Sequence, residues 1–324
     1  VVGHLGAVQC QEHVSALWSV GRRSRATVAE VVAALAAPDL VRTHVLRTTW
    51  HHVLAEDLPH LVAATGSRVE RLVVTHTARQ GLEESRLRAA ADVVAQAVEE
   101  SPGCTRAHLA ERLAGAGHAP FLGDLLAHVV MMAELDGRIG GSRVPGGQHL
   151  YRPLRLEPSS LTLDEALARV ARTYARGHGP HTAQDLAWWT SLTLTQARRA
   201  IALAELRPVV LHGREMWALE EPEPVDVPSV LLLANFDEVI SHVRDADLRA
   251  EVGPSYDDAL RGFGLLFLDG RLAGRWTRTV SADTVEVCVT PAARLTRAQS
   301  AALDVEVREF AHFLGLEGSL TLAA

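Results

Sequence analysis

Before residue 222 the chain runs three times through one order of local signals: a capped helix, a second helix, then two short β-rich runs about a turn. Such repetition of one supersecondary unit constrains the fold more than any single residue, because it is the mark of a tandem array. In the first copy, residues 1–22 read as one or two helices. Thr27 then stands as an N-cap with Glu30 at capping-box spacing, ahead of Val28, Val31, Val32 and Leu35 at helical intervals. Pro38-Asp39 closes that helix. The stretch Leu40 to Val53 is dense in β-branched and aromatic residues and reads as strand or hairpin. On one continuous strand, Arg47, Thr49 and His51 would share one face, and His44, Leu46, Trp50 and His52 the other. Glu56 to Ala64 resumes helix.

The second copy opens on an amphipathic helix from Leu82 to Glu100, closed by Ser101-Pro102-Gly103. Thr105 caps the next helix, and Pro120 opens another that runs from Phe121 to Leu135. Arg138-Ile139 and His149-Leu150-Tyr151 read as strands around a glycine-rich tip, Gly140 to Gly147. In the third copy Leu163 to Tyr174 is helical, Thr182 caps Ala183 to Trp189, and Thr193 or Thr195 caps Gln196 to Leu206. Pro208 to Trp217 forms a hairpin about His212-Gly213. Helix, helix, wing is the order of a winged helix, so three tandem winged-helix motifs are expected over 1–81, 82–157 and 158–222.

Glu220 to Pro228 is acidic and proline-rich and reads as a boundary. Beyond it the apolar period becomes two. Val230 to Leu233 is a buried strand, Gly264 to Leu268 and Arg271 to Val280 form a hairpin about Asp269-Gly270, and Val285, Val287 and Val289 alternate on another strand. A helix over 296–314, capped at Thr296, precedes a short strand from Ser319 to Leu322. Residues 229–324 are thus expected to form a small β-barrel-like domain, and the whole chain to be mainly α with α+β units.

The 324 residues are 48% apolar and 22% charged, ordinary for a globular protein. No run of 18 apolar residues predicts a membrane span, and no signal-peptide pattern stands at the start. A chain beginning at Val1 is nevertheless expected to be preceded by further residues. Three distant cysteines, Cys10, Cys104 and Cys288, argue against a disulfide framework and for a reducing cytoplasm. The net charge of −7 by itself argues against nucleic-acid binding. Its distribution does not: eleven acids and two arginines lie in 220–258, but five arginines (Arg22, Arg23, Arg25, Arg42, Arg47) face three acids in 1–55. There is no lysine anywhere, which removes the side-chain amine that Schiff-base chemistry needs.

Val8-Gln9-Cys10-Gln11 carries the chemistry of interest. In a helix, residues two apart point about 200° apart, so Gln9 and Gln11 would diverge. Where the chain bends, both carboxamides can converge on one small target. A neutral amide donates and accepts hydrogen bonds but takes no proton at pH 7, so such a pair suits holding a water or facing a cation. By spacing alone, a solvated surface pair is the ordinary reading.

Leu5-Gly6-Ala7-Val8-Gln9-Cys10-Gln11 with Leu17-Trp18 and Arg22 or Arg23, the segment from Arg42 to His51, Leu232-Leu233-Ala234-Asn235-Phe236-Asp237-Glu238, and Asp269 to Trp276 together resemble, in order, the AlkZ-like DNA glycosylases. The resemblance spans nearly the whole chain. It implies a C-shaped array of three winged helices plus a β-barrel around a DNA channel. It also implies excision of bulky or cationic alkylpurines, chiefly N7-alkylguanine, with interstrand-crosslink unhooking in some members, and a catalytic Gln-x-Gln falling on Gln9 and Gln11. Two features depart from the family pattern: a helix that precedes the motif there, and Arg47-Thr48-Thr49 where Arg-Gly-Thr is usual. With His44 and Trp50, this version resembles a less characterised branch.

The residues fit that chemistry. An N7-alkylated purine is already cationic and leaves without a general acid, so the remaining work is to place a water at C1′ and stabilise an oxocarbenium-like sugar. Gln9 and Gln11 are expected to do this. Arg47, Thr49 and His51 are expected to meet phosphate or the lesion strand, with a structural cross-strand network as the alternative. Trp50 can stack on a base or fill the core, and His44 is grouped with it. Arg271, Arg275 and Arg278 form either a DNA-backbone patch or a solvated hairpin. The acidic 220–258 run is expected on a solvated face away from DNA, and Asp237 and Glu238 are expected to be structural. His4, Cys10 and His13 match no common metal spacing, so neither metal nor cofactor is expected. The expected partner is double-stranded DNA carrying alkylated purines, bound by a cytoplasmic monomer. A non-enzymatic winged-helix regulator and a factor that sequesters a DNA-reactive natural product are the competing readings.

Overall fold

The computed structural model describes residues 1–118, 121, 123–143, 149–211, 213–241 and 261–323. The chain divides into two units. One comprises Val2–Gln11 and Ala34–Leu219, and the other Val1, Glu12–Ala33 and Glu220–Ala324.

In the first unit, α1 (Val2–Leu5) turns through Gly6 into a two-residue strand, β1 (Val8–Gln9). Gly6 has φ +80°, and a Cβ there would lie 2.4 Å from Thr173 Cγ2, so only glycine allows the turn at this depth. β2 (Leu40–His44) and β3 (Trp50–Leu54) make the expected hairpin. They are not one continuous strand: residues 45–49 leave the ladder as a bend. Arg47 and Thr49 therefore sit on a connection, and strand alternation does not govern them.

β5 (Ile139–Arg143) and β6 (His149–Pro153) form the second hairpin, and β4 (Cys104–Thr105) pairs with β6. The two hairpins join edge to edge through Arg42 and Gly141, giving one six-stranded sheet in the order β1-β3-β2-β5-β6-β4. Gly140 and Gly141, expected at a wing tip, lie inside β5. A Cβ on Gly141 would stand 3.2 Å from the Arg42 carbonyl oxygen, and one on Gly140 3.0 Å from Val41 Cγ1, so the glycines allow the two hairpins to approach. Residues 144–147 of the Gly140 to Gly147 tip, like Pro120, lie outside the described residues.

Helices pack around this sheet. α4 (Leu58–Arg79), α5 (Glu84–Glu100), α6 (Arg106–Gly115) and α7 (Gly123–Leu135) share a core centred on Leu87, Val94, Leu109 and Met132. α8 (Leu163–His178), α9 (Ala183–Thr190) and α10 (Leu194–Leu203) each start on a complete capping box, at Thr162, Thr182 and Thr193. Thr193, not Thr195, is thus the cap. Tyr174 and Trp189, both wholly buried, anchor the core of this part. β7 (Arg207–Leu211) and β8 (Arg214–Ala218) follow as a separate two-stranded hairpin, whose turn residue His212 lies outside the described set.

The second unit is built on a five-stranded sheet, a curled half-barrel in the order β13-β12-β11-β10-β9. Its strands are β9 (Val230–Leu233), β10 (Gly264–Leu268), β11 (Arg271–Val280), β12 (Thr284–Pro291) and β13 (Glu317–Leu322). β12 and β13 are parallel, linked by the last helix, Arg297–Leu314, capped by Thr296 with Gln299. The helix α2 (His13–Ser24) packs against the last helix of this unit, although sequence order puts it in the first helix–helix–hairpin copy. Trp18 is its anchor: the indole N–H donates to the Leu232 carbonyl at 2.7 Å, and the ring meets Phe310 and Phe313 at 5.0 and 5.2 Å. Residues 242–258 of the acidic 220–258 run lie outside the described residues.

Candidate functional site

The Gln-x-Gln stretch is not helical: Val8-Gln9 forms an extended edge, and the chain bends at Gln11. Val8 pairs with His52 and Gln9 with His51, and the Cys10 N–H carries the ladder on by donating to the Trp50 carbonyl at 2.8 Å. Extended backbone alternates its side chains. Val8 and Cys10 are each 1% exposed and point into the core, whereas Gln9 is half-buried and Gln11 exposed. The strand ends at Gln9, ahead of the bend at Gln11.

Both amides are held from the β2–β3 hairpin. Arg47 Nη2 donates to Gln9 Oε1 at 3.1 Å and lies 3.2 Å from His51 Nε2. The Trp50 backbone N–H donates to Gln11 Oε1 at 3.4 Å. Arg47 is 8% exposed and His51 0%, so both lie buried beside Gln9. Thr49 is half-buried, and its Oγ1 is enclosed without a hydrogen-bond partner among the described residues.

His44 and Trp50 lie in the interior. They are cross-strand partners, with ring centroids 4.3 Å apart. Both turn toward Glu134 of α7: His44 Nδ1 meets one carboxylate oxygen, and Trp50 Nε1 donates to the other at 3.4 Å. The Arg42 guanidinium stacks over the Trp50 ring at 4.3 Å. Burial pushes the His44 pKa down; Glu134 opposes the shift, and Arg42 and Arg106 add to it. Trp50 is 8% exposed and His44 1%, so both side chains fill the interior. Sequence reasoning missed Glu134 and Arg42 as members of this cluster. The one available signal was a lone acid in the apolar run Met131-Met132-Ala133-Glu134-Leu135.

The three arginines of β11 do not make one patch. Arg278 stands opposite Val287, on the same side of the strand as the core residue Trp276, and lies 3.7 Å from Glu12. Arg275 has the other parity and covers the Phe263 ring at 4.6 Å. Arg271 is exposed, beyond the register shift between Leu266 and Phe267. Glu12 caps α2 by accepting from the Ser15 N–H at 2.9 Å. Burial raises its pKa, but the Ser15 hydrogen bonds and Arg278 outweigh this and leave it lowered. Asp237, 1% exposed, takes both Nη groups of Arg23 at 2.7 and 2.9 Å and the Ser19 hydroxyl at 2.6 Å. That is an enclosed structural network, and no helix among the described residues is long and apolar enough to cross a membrane.

Comparison with known proteins agrees with this architecture. The solved structure of Streptomyces sahachiroi DNA glycosylase AlkZ superposes with a TM-score of 0.79 at 21% identity, covering 100% of this chain and 92% of that one. At that identity the likeness establishes the fold. No curated protein matches the chain closely enough in sequence to count as a relative. The family model for AlkZ-like DNA glycosylases matches residues 2–313, nearly the whole chain, and the protein belongs to that family.

Proposed function

We propose that this protein is a monofunctional DNA glycosylase that hydrolyses the N-glycosidic bond of N7-alkylated purines in duplex DNA, with Gln9 and Gln11 as its catalytic residues. Family membership supports the reaction class. The observation that carries the residue assignment is that both amide oxygens reach one hairpin, Gln9 Oε1 accepting from Arg47 and Gln11 Oε1 from the Trp50 N–H.

The C1′–N9 bond breaks with its electron pair passing to the purine, which neutralises the cationic ring, so no general acid is required. A water oxygen adds to C1′ and sheds its proton to solvent, leaving free base and an abasic site. What the protein supplies is placement of that water and dipoles facing the cationic sugar. A carboxamide oxygen has two acceptor sites, so a hydrogen bond from Arg47 or from the Trp50 amide does not exclude a water. The absence of lysine side chains, the usual imine-forming amines, fits a reaction that ends at the abasic site. A crosslink made through N7 of two guanines presents the same leaving group twice, and its unhooking falls within the same chemistry.

Incubation with a duplex containing 7-methylguanine, followed by chromatographic detection of the free base, tests the proposal. Release by the wild type, lost in the Gln9→Ala/Gln11→Ala double variant, supports it. Footprinting at one fixed operator with no base release favours a regulator, and tight binding of an alkylating natural product without DNA favours a sequestering role.

A further inference from the structure

We infer that Arg47 and His51 are positioning residues for the Gln9 carboxamide and not phosphate contacts; the inference rests on the proposed catalytic role of Gln9. Arginine near a DNA-processing site is ordinarily read as a phosphate fork. A phosphate contact needs an accessible guanidinium, and Arg47 is 8% exposed. Its Nη2 stands within hydrogen-bond distance of Gln9 Oε1 (3.1 Å) and His51 Nε2 (3.2 Å).

The chemistry of the two partners sets direction. A guanidinium donates only, so His51 Nε2 accepts and carries no proton. The two N–H groups of Nη2 then span a neutral imidazole on one side and the carboxamide oxygen on the other. His51 is wholly buried and is the cross-strand partner of Gln9, so its backbone is tied to the same strand pair it serves. Glutamine has three side-chain torsions. Pinning Oε1 from a buried base selects one arrangement before DNA arrives, and orientation of this kind governs rate where a water must be aligned. His51 thus orients Arg47, and Arg47 orients Gln9.

The test is a double-mutant cycle read by single-turnover release of 7-methylguanine from duplex DNA, with the salt dependence of binding to undamaged duplex measured in parallel. The variants are Gln9→Ala, Arg47→Met and the pair combined. If Arg47 acts through Gln9, Arg47→Met slows release by about a hundredfold, the double variant is no slower than Gln9→Ala, and the slope of log affinity against log salt is unchanged. If the two losses multiply, or the salt slope falls by about one as for a lost phosphate contact, the inference is overturned. Wild-type release by Arg47→Met beside a slow Gln9→Ala overturns the inference alone. Wild-type release by Gln9→Ala overturns the catalytic reading beneath it as well. Should Arg47→Met fail to fold, His51 carries the test. His51→Gln retains an acceptor near the Nε2 position and is expected to keep release within about threefold of wild type, whereas His51→Leu is expected to match the Arg47 loss. Equal rates in the two His51 variants contradict the inference.

Discussion

The carboxamide oxygen of Gln9 accepts a hydrogen bond at 3.1 Å from the guanidinium of Arg47, a residue 38 positions later in the chain. The contact exists because β1 adds to the β2–β3 hairpin at its outer edge, which sets Gln9 opposite His51. A two-residue strand has little stability of its own. Its position depends on the Gly6 turn on one side and on the burial of Val8 and Cys10 beneath it.

Gly6→Ala tests that dependence. The substitution puts a Cβ at φ +80° and 2.4 Å from Thr173 Cγ2. The expected cost is about 1–3 kcal/mol of unfolding free energy, together with slower base release, because any relief must move β1. Chemical denaturation checks the first and the release assay the second. Unchanged values for both would show that β1 does not depend on this turn.

His181 sets a pH dependence. It is 1% exposed, and burial lowers its pKa from 6.5 to about 4, opposed by its hydrogen bond with the Thr182 carbonyl and by Asp185. The unfolded chain therefore takes up this proton first. Stability from this group is complete above pH 6.5 and falls as pH drops toward 4, by roughly 3 kcal/mol across that window. His181→Asn is expected to flatten the pH 6.5–4 part of the stability curve by about that amount. Urea midpoints measured at both ends check it, and parallel curves for the two proteins would contradict it.

The Arg23–Asp237 pair ties α2 to the loop after β9. Asp237 is 1% exposed, and Arg23 meets both its oxygens. Removing the cation leaves a buried carboxylate held by Ser19 and the Val239 N–H. Arg23→Met is expected to destabilise by about 3–5 kcal/mol, a larger loss than Arg88→Met at an exposed pair, where roughly 0–1 kcal/mol is expected. Comparable losses at the two sites would contradict the account.

Much of the fold was legible because it rests on local chemistry. Thr27, Thr105, Thr182 and Thr296 cap helices as their spacing implied. Val285, Val287 and Val289 alternate into the core. What was not legible is long-range. No local rule places Trp18 against Leu232, 214 residues away, or joins two hairpins through Arg42 and Gly141. A hairpin was expected here, but the position of its bend was not legible because the residues from Val45 to Thr49 keep strand-like composition, so the faces assigned to Arg47 and Thr49 on a continuous strand do not apply. Gln9 and Gln11 could be named from sequence, but the short edge strand at Gln9 and the bend at Gln11 could not, since their flanking apolar pattern is helical. The β11 arginines were read together in sequence, but an odd spacing, 275 and 278, splits them between two faces of a strand.

The most direct measurement is release of free 7-methylguanine from duplex DNA under single-turnover conditions, by wild type and by the Gln9→Ala/Gln11→Ala variant. The account expects wild-type release with an intact abasic strand as the other product, and release in the variant reduced to that of DNA alone. Release by the variant at the wild-type rate, or none from the wild type, would contradict it.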